Sequence, residues 1–251
     1  MRAFVKKIVH SILVRTFPSK MGYNIKPKGE GYFHAGTIVQ KANKKGLSVA
    51  EYLEKYNIGG VGKRRDEIIL KLKDAGVMKQ CEAIVEIGAG TGMYLEKFIA
   101  HCNPSKYEVY ETDKGWSKYL SFKYTSQHLH LKVHNADGSS LQFTADNSSD
   151  IVAAHAVFVY LPIVITIQYL QEAVRVCKKN GHIIFDCFTD GVFTFDEISN
   201  FSIVNPNYTF PVIITEELIN QYCTKFNLQI VSSFNINYHL TQSTYFILKK
   251  L

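Results

Sequence analysis

Residues 83–98, AIVEIGAGTGMYLEKF, contain the pattern that decides the fold. The apolar run AIVEI leads into three glycines at every second position, Gly88, Gly90 and Gly92, and a helical pattern follows them. Glycines at this spacing let the backbone turn tightly and approach a ligand where side chains would collide. A dinucleotide-binding fingerprint needs its third glycine at position 93, where this chain has Met93, so nicotinamide or flavin binding fits poorly. The segment therefore predicts a strand, a ligand-binding loop and a helix over residues 91–101.

Outward from this segment, short apolar runs alternate with helical patterns. Strands are predicted at AIVEI, YEVYE (107–111), LHLKVHNAD (129–137), DIVAAHA (150–156) and HIIFDCF (182–188), with a further helix over 167–178. This alternation predicts a parallel sheet with helices on both faces. The turn at 178–181 is expected to enter the fifth strand with Gly181 at positive φ. Thr215 is expected to cap a helix toward Phe226, and the runs 228–237 and 243–249 predict an antiparallel pair.

Residues 81–251 resemble the class I S-adenosylmethionine-dependent methyltransferases, whose first motif is an acidic residue followed two positions later by this glycine loop. Glu86 and Gly88 have that spacing here. The resemblance implies an α/β, Rossmann-like sheet of seven strands, mostly parallel with an antiparallel C-terminal strand, and S-adenosylmethionine as the cofactor. It places Glu86, Gly88 and the backbone of Ala154 at the methionyl end of the cofactor. It also assigns the rest of the loop to the cofactor: Ala89, Gly90, Thr91 and Gly92.

The resemblance implies a ribose-binding carboxylate at the end of the second strand. Glu111 ends YEVYE, and its neighbour Thr112 belongs to the same predicted contact. A carboxylate at this strand end can accept both ribose hydroxyls, as in other nucleotide-binding α/β folds. Asp113 is the competing candidate if the strand ends two residues later, and a surface Glu is the plain alternative.

The adenine end is predicted at Ala136-Asp137-Gly138, which follows the third strand. In the family an acidic residue here accepts the adenine amine, which makes Asp137 the candidate, and the alternative is an ordinary Asp-Gly turn. Trp116 and Leu141 are candidates to sandwich the adenine ring, although a lone Trp is as readily ordinary core.

The fourth strand delivers His155 to the carboxyl edge of the sheet, from which family members address the methyl acceptor. A histidine there can deprotonate a hydroxyl or amine, and a hydrogen-bonded histidine that shapes the pocket is the equal alternative. Tyr160 and Asp186 are further catalytic candidates for acceptor binding or proton removal. Because the sulfonium already activates the methyl group, alignment and water exclusion are the main demands and a base is optional.

The acceptor is less well defined than the donor. The chain lacks the Asn/Asp-Pro-Pro-aromatic motif typical of many enzymes that methylate nucleic-acid bases or protein amides, and has HAVFVYLP at 155–162 instead. In this segment it resembles bacterial methyltransferases of undetermined acceptor. The sequence favours a small-molecule or glycan-like acceptor, methylated at oxygen. The alternatives are a regulatory or scaffold protein that binds S-adenosylmethionine without turnover and an RNA methyltransferase, although no nucleic-acid-binding module is recognised.

Composition describes a globular chain of 251 residues with 46% hydrophobic residues and a net charge of +7. Residues 1–79 are expected to form a helical extension that partly covers the cofactor or substrate, ahead of the methyltransferase domain at 80–251. An amphipathic helix is expected over residues 1–17, packed on that domain, and the alternative is peripheral contact with an anionic membrane. The five cysteines are widely spaced, so we expect a cytoplasmic protein without a metal site, and the oligomeric state is open.

Overall fold

The computed structural model describes residues 35–56, 61–124, 129–196, 198–199, 212–238 and 241–251. They belong to one compact unit, Phe33–Leu251. The helix expected over residues 1–17 lies outside the described residues. No helix within the described ranges is long and apolar enough to span a membrane.

The chain alternates between helices and strands, as its apolar pattern predicts. The helices are α1 (Ala35–Asn43), α2 (Val49–Lys55), α3 (Val61–Asp74), α4 (Met93–Cys102), α5 (Lys114–Lys123), α6 (Ile163–Val176) and α7 (Glu216–Lys225). The strands are β1 (Ala83–Ile87), β2 (Lys106–Glu111), β3 (His130–Asn135), β4 (Ser149–Ala154), β5 (Cys177–Thr189), β6 (Ile213–Ile214), β7 (Leu228–Tyr238) and β8 (Thr241–Lys250).

Seven strands form one continuous sheet in the order β3-β2-β1-β4-β5-β8-β7. The first five are parallel, whereas β8 runs antiparallel to both β5 and β7. This confirms the predicted α/β sheet with its antiparallel C-terminal pair. The two-residue β6, which pairs with the end of β5, brings the number of strands in the described ranges to eight rather than seven.

The strand order reverses at β1, because β2 lies on one side of it and β4 on the other. In open α/β sheets, ligands bind at the carboxyl edge beside such a switch point. The glycine loop follows β1 at this edge, and Glu111 ends β2. Ala154 at the end of β4 pairs with Phe185 of β5, which brings His155 and Asp186 to the same level of the edge.

Helices α3 and α4 cover one region of the sheet through a shared apolar core. Its buried members include Ile68 and Leu72 from α3, Leu95 and Phe98 from α4, and Ile84, Ile151, Ile184 and Ile247 from the strands. Burial of a side chain of this size stabilises a fold by about 1.5 to 3 kcal/mol. This packing fixes α4, and with it the glycine loop, relative to β1.

Helices α1 and α2 have a second core in common with α4 and α5. It contains Ala35, Ile38, Ala42, Val49, Ala50, Leu53, Met93 and Trp116. Ser48 caps the N-terminus of α2 through a capping box with Glu51. The Val49 N–H donates to the Tyr119 hydroxyl at 2.9 Å, which ties α2 to α5. The helices before β1 are therefore part of the packed unit.

The entry to β5 differs from the sequence prediction. Asn180 has the positive φ of 63°, and Gly181 does not. Asn tolerates the left-handed region better than most residues. Gly181 is required for a different reason, since a Cβ there would lie 2.7 Å from Cys177 Sγ and 2.9 Å from the Asp150 carbonyl oxygen.

Candidate active site

The glycine loop between β1 and α4 has a backbone that glycine alone adopts without strain. Gly88, Gly90 and Gly92 have φ of 67°, 51° and 79°. The Gly88 N–H donates to the Tyr110 carbonyl at 2.8 Å, and the Gly92 N–H donates to that of Ala89 at 2.9 Å. A Cβ on Gly88 would lie 2.7 Å from Cγ2 of Val157, so the loop after β1 packs directly on the loop after β4. Thr91 lies between Gly90 and Gly92 and is partly exposed.

Glu111 is a buried carboxylate at the mouth of this loop, with 6% of its surface exposed. It accepts hydrogen bonds from the N–H groups of Gly90 and Asp113, each at 2.8 Å. Burial raises its pKa, although these hydrogen bonds and one from the Thr112 N–H oppose the rise. Thr112 itself is exposed.

Asp113 has a structural task that separates it from Glu111. It is the N-cap of α5, and its carboxylate accepts the Trp116 N–H at 2.8 Å. β2 ends at Glu111, which is the end that the sequence predicted, and not two residues later at Asp113. The ribose contact itself stays a prediction.

Glu86 is the penultimate residue of β1 and has 1% of its surface exposed. The Tyr107 hydroxyl donates to its Oε2 at 2.7 Å. Burial, together with the nearby charge of Glu111, raises the pKa of Glu86 to about 7, and the Tyr107 hydrogen bond opposes this. The site thus contains two buried carboxylates next to the glycine loop.

Asp137 forms the turn that its Asp-Gly sequence also allowed. Its Oδ1 accepts the N–H groups of Ser139 and Ser140, each at 2.8 Å, and Gly138 has a φ of 92°. Partial burial works against the charge, but the hydrogen bonds from Ser140 and Ser139 outweigh it and lower the pKa of Asp137. The side chain is exposed, and the Ala136 N–H donates to the Glu111 carbonyl at 3.3 Å, which links this turn to β2.

Trp116 has 3% of its surface exposed and packs in the core that α1 and α2 have in common with α4 and α5. These surroundings match the alternative that Trp116 is an ordinary core residue. Leu141 is fully buried, and its carbonyl accepts Nη2 of Arg175 at 2.9 Å. The adenine contacts of both residues stay predictions.

His155 follows β4 and is almost fully buried. Within the described part of the chain, neither Nδ1 nor Nε2 has a hydrogen-bond partner. The ring stacks on Tyr94 with centroids 3.8 Å apart and planes 9° apart, while Phe98 and Tyr245 lie 5.9 Å and 5.8 Å away with tilted rings. Burial lowers the pKa of His155 to about 3, so the imidazole is neutral at working pH.

Asp186 of β5 holds the turn that follows His155. Its Oδ1 accepts the Ala156 N–H at 2.6 Å, and Ala156 has a φ of 54°, which is uncommon for a residue with a Cβ. Burial raises the pKa of Asp186 to about 6, while the Ala156 hydrogen bond and the charge of Arg64 act in the opposite direction. Ala154, at the end of β4, pairs with Ile87 at the end of β1.

Tyr160 lies farther along the loop after β4. It is half-buried and packs against the small cluster of Val159, Phe188 and Phe193. Its N–H donates to the Val157 carbonyl at 3.1 Å. The structure brings His155 and Asp186 together through Ala156, whose N–H donates to Asp186.

Sequence reasoning missed Tyr94, Arg64 and Val157. Tyr94 and Phe98 are four residues apart on α4 and contact His155 from the same helical face. That spacing was the available signal, but the partner of the face is evident only in the tertiary structure. No group of three metal-ligating side chains is found among the residues that the structure describes.

Comparison with known proteins agrees with this geometry. The methyltransferase domain family matches residues 85–185, from β1 through the glycine loop to β5. The chain therefore contains, at residues 85–185, an S-adenosylmethionine-dependent methyltransferase domain. The match gives methyl transfer as the activity of this domain and S-adenosylmethionine as its cofactor. No curated protein sequence matches the chain.

Solved structures with the same fold are distant in sequence. A cyclopropane synthase from Mycobacterium tuberculosis has a TM-score of 0.57 at 13% identity over 72% of this chain and 84% of its own. Geranyl diphosphate C-methyltransferase from Streptomyces coelicolor, with S-adenosyl-L-homocysteine bound, has a TM-score of 0.57 at 11% identity over 80% and 84%. The N-methyltransferase NodS from Bradyrhizobium japonicum, with the same ligand, has a TM-score of 0.54 at 16% identity over 75% and 87%.

The residues at the carboxyl edge of this methyltransferase fit a cationic cofactor. Two buried carboxylates, Glu86 and Glu111, lie beside a loop whose glycines leave the backbone open to close approach. Buried anions of this kind are stabilised when a cation is bound next to them. The chemistry of the donor set therefore agrees with a ligand that has a sulfonium, an ammonium and ribose hydroxyls.

Proposed function

We propose that the protein transfers the methyl group of S-adenosylmethionine to a hydroxyl of a small-molecule or glycan-like acceptor. The observation that supports this most directly is His155, a buried neutral imidazole just after β4 whose two nitrogens have no partner among the residues that the structure describes. Buried polar atoms without partners are rare in native proteins, and they point to a ligand that completes them. A neutral imidazole accepts a hydrogen bond from a hydroxyl without repelling a sulfonium.

In this proposal the cofactor lies along the carboxyl edge of the sheet. Glu86 contacts the ammonium, and the glycine loop with the backbone of Ala154 approaches the methionyl chain. Glu111, with Thr112, holds the ribose, and Asp137 with Ala136 and Gly138 holds the adenine. When bound, the cofactor supplies an activated methyl group, so the protein's task is alignment and exclusion of water.

The pKa values of His155 and Asp186 suit two different roles, orientation of the acceptor hydroxyl and removal of its proton. His155, with its pKa lowered to about 3, is a weak base that orients the hydroxyl. Asp186, with its pKa raised to about 6, is closer to the operating pH that favours a general base. Its Oδ1 accepts the Ala156 N–H and a hydrogen bond with Ser243 also lowers its pKa, so we assign proton removal to the Asp186 carboxylate as a whole. Tyr160 is a further candidate for acceptor binding.

Calorimetry with S-adenosylhomocysteine, followed by turnover over a panel of hydroxyl and amine acceptors, tests the proposal. We expect binding of the cofactor product and methylation of a hydroxyl. Binding without turnover across the panel favours a regulatory or scaffold protein. RNA binding with a steep dependence on salt concentration, together with methylated RNA, favours the RNA methyltransferase. Failure to bind either form of the cofactor contradicts all three.

Whether the acceptor is free or membrane-bound depends on residues 1–17. We favour packing of this segment on the methyltransferase domain over contact with a membrane surface. The net charge of +7 is compatible with either. Co-sedimentation with anionic vesicles at physiological salt distinguishes them when the full chain is compared with one that begins at Met21. If only the full chain sediments, a lipid-linked acceptor becomes the preferred substrate.

A further inference from the structure

The orientation of the His155 ring is not set in the usual way. An imidazole in an active site is commonly held by a hydrogen bond on one nitrogen, often to a carboxylate or a backbone carbonyl. Here both nitrogens are buried and neither has such a partner among the described residues. The direction in which the nitrogens point must therefore come from packing.

Tyr94 supplies the closest packing contact. Its ring lies parallel to the imidazole, with centroids 3.8 Å apart and planes 9° apart. Phe98 and Tyr245 also contact the imidazole, but their planes are inclined by 35° and 32° at centroid distances near 6 Å. Tyr94 thus covers a face of the imidazole, whereas the other two rings are farther away and tilted against it.

The Tyr94 ring is itself anchored at both ends. Tyr94 is the second residue of α4, two residues after Gly92, which is the N-cap of the helix. Burial raises the pKa of its phenol, and a hydrogen bond with Tyr245 opposes this, which places the two hydroxyls together. Tyr245 in turn stacks on Phe234 of β7 at 5.3 Å. The stack is therefore fixed to the helix after the glycine loop and to the antiparallel end of the sheet.

We propose that Tyr94 is a positioning residue, whose stacked ring fixes the plane in which His155 presents its nitrogens to the methyl acceptor. The inference rests on the proposed function of His155 and adds to it a residue that needs no contact with substrate. Stacking leaves both nitrogens available to a ligand, which a hydrogen bond from the protein would not. It also links the acceptor side of the site to α4, whose N-terminus closes the glycine loop.

Three substitutions separate the ring from its hydroxyl and from general packing. Tyr94→Phe retains the stack and removes the hydrogen bond to Tyr245. Tyr94→Leu removes the stack while keeping an apolar side chain. Phe98→Leu is the matched control, because Phe98 lies one turn along α4, is fully buried and contacts the imidazole without stacking on it. Cooperative thermal unfolding shows that each variant is folded.

The titration of His155, followed by NMR in protein with labelled histidine, measures the effect directly. The signal is assigned by its loss in His155→Asn. In Tyr94→Leu we expect water to reach the uncovered face and the His155 pKa to rise by about 1 unit or more toward its ordinary value. In Tyr94→Phe and Phe98→Leu we expect the depressed pKa and the chemical shifts of the parent.

Two results would overturn the inference. One is a Tyr94→Leu protein with the His155 titration of the parent, because the stack would then not control the ring. The other is a Tyr94→Phe protein that changes as much as Tyr94→Leu, because the hydroxyl would then be the active part. Both are independent of turnover, so they are distinguishable from a failure of the proposed function, which His155→Asn at full parental activity would reveal.

Discussion

At the residue scale, Glu111 and Asp113 are neighbouring carboxylates that have different structural roles. Glu111 accepts the Gly90 N–H and lies beside the loop, whereas Asp113 caps α5. We expect Glu111→Ala to weaken S-adenosylhomocysteine binding by about 10-fold or more, because hydrogen bonds to a charged group contribute roughly 1.5 to 3 kcal/mol each. Asp113→Ala should instead lower stability by about 1 kcal/mol and change affinity little. Calorimetry and thermal unfolding measure the two effects, and the reverse pattern would move the ribose contact to Asp113.

The shifted pKa values of Asp186 and His155 lead to a prediction for the pH dependence of turnover. Since burial raises the pKa of Asp186 to about 6 and lowers that of His155 to about 3, a rate that needs the Asp186 carboxylate falls as pH drops through about 6. Asp186→Asn retains an acceptor for the Ala156 N–H but loses basicity, so we expect turnover to fall by about 100-fold or more.

The control for this prediction is His155→Asn, measured over the same pH range. It should retain the inflection near pH 6, because the amide replaces a neutral imidazole that does not titrate there. An inflection that disappears in His155→Asn and persists in Asp186→Asn would reverse the assignment of the base.

Single residues show where sequence reasoning ends. The sequence places Glu86, Glu111 and His155 at strand ends, because apolar runs reveal where strands stop. It cannot show that Asp137 is bonded within its own turn, that Trp116 is buried against α1, or that no described residue forms a hydrogen bond with the His155 ring. Those properties depend on contacts between distant segments, and no local pattern specifies them.

At the scale of elements, the loops after β1 and β4 meet at Gly88 and Val157. A Cβ on Gly88 would lie 2.7 Å from Val157 Cγ2, and the residue has a φ of 67°. We expect Gly88→Ala to weaken S-adenosylhomocysteine binding and lower stability, since the loop must shift. Gly90→Ala is the matched control, because a Cβ there comes no closer than 3.9 Å to another described atom and only the backbone strain remains.

A double substitution tests whether the contact or the strain dominates at Gly88. Val157→Ala removes the methyl groups that a new Cβ would meet, so Gly88→Ala with Val157→Ala should recover part of the lost affinity. Calorimetry of the four proteins gives the coupling between the two positions. Strictly additive losses would show that backbone strain alone accounts for the effect of Gly88→Ala.

Elements were also more predictable than their ends. β1 was predicted residue for residue, and the cap at Thr215 was confirmed, because these signals lie within a few residues of sequence. The entry to β5 was wrong at Gly181, since the need for glycine there comes from Cys177 and Asp150 and not from φ. β6 is two residues long, which is too short for a pattern to reveal.

At the scale of the whole molecule, buried carboxylates should make stability depend on pH. Burial raises the pKa of Glu86 to about 7, above its ordinary value of 4.5, so its favourable contribution is complete below pH 4.5 and is lost as pH rises through 7. His155 acts in the opposite sense, because its lowered pKa stabilises the fold above its ordinary pKa of 6.5 and this is lost on acidification.

We therefore expect Glu86→Gln to gain stability relative to the parent as pH rises from 5 to 8. The size is on the order of 3 kcal/mol, because one pKa unit corresponds to about 1.4 kcal/mol. Denaturant unfolding without cofactor, at each pH, measures the difference between variant and parent and cancels the contribution of His155. A difference that is constant over this range would show that Glu86 is not protonated in the folded protein.

The helices before β1 decide how much of the chain the fold needs. Leu53, Ile68 and Leu72 are fully or almost fully buried, and Trp116 and Met93 of the methyltransferase domain are buried against α1 and α2. A chain that begins at Gln80 would expose these surfaces, so we expect its melting temperature to fall by about 10 °C or more.

A chain that begins at Phe33 retains the compact unit Phe33–Leu251 and should unfold cooperatively at a higher temperature than the Gln80 chain. Calorimetric scans of both, with S-adenosylhomocysteine titrations, test this together with the proposed cover at the cofactor. If the Gln80 chain melts and binds like the Phe33 chain, residues 80–251 form an independent domain and the cover is dispensable.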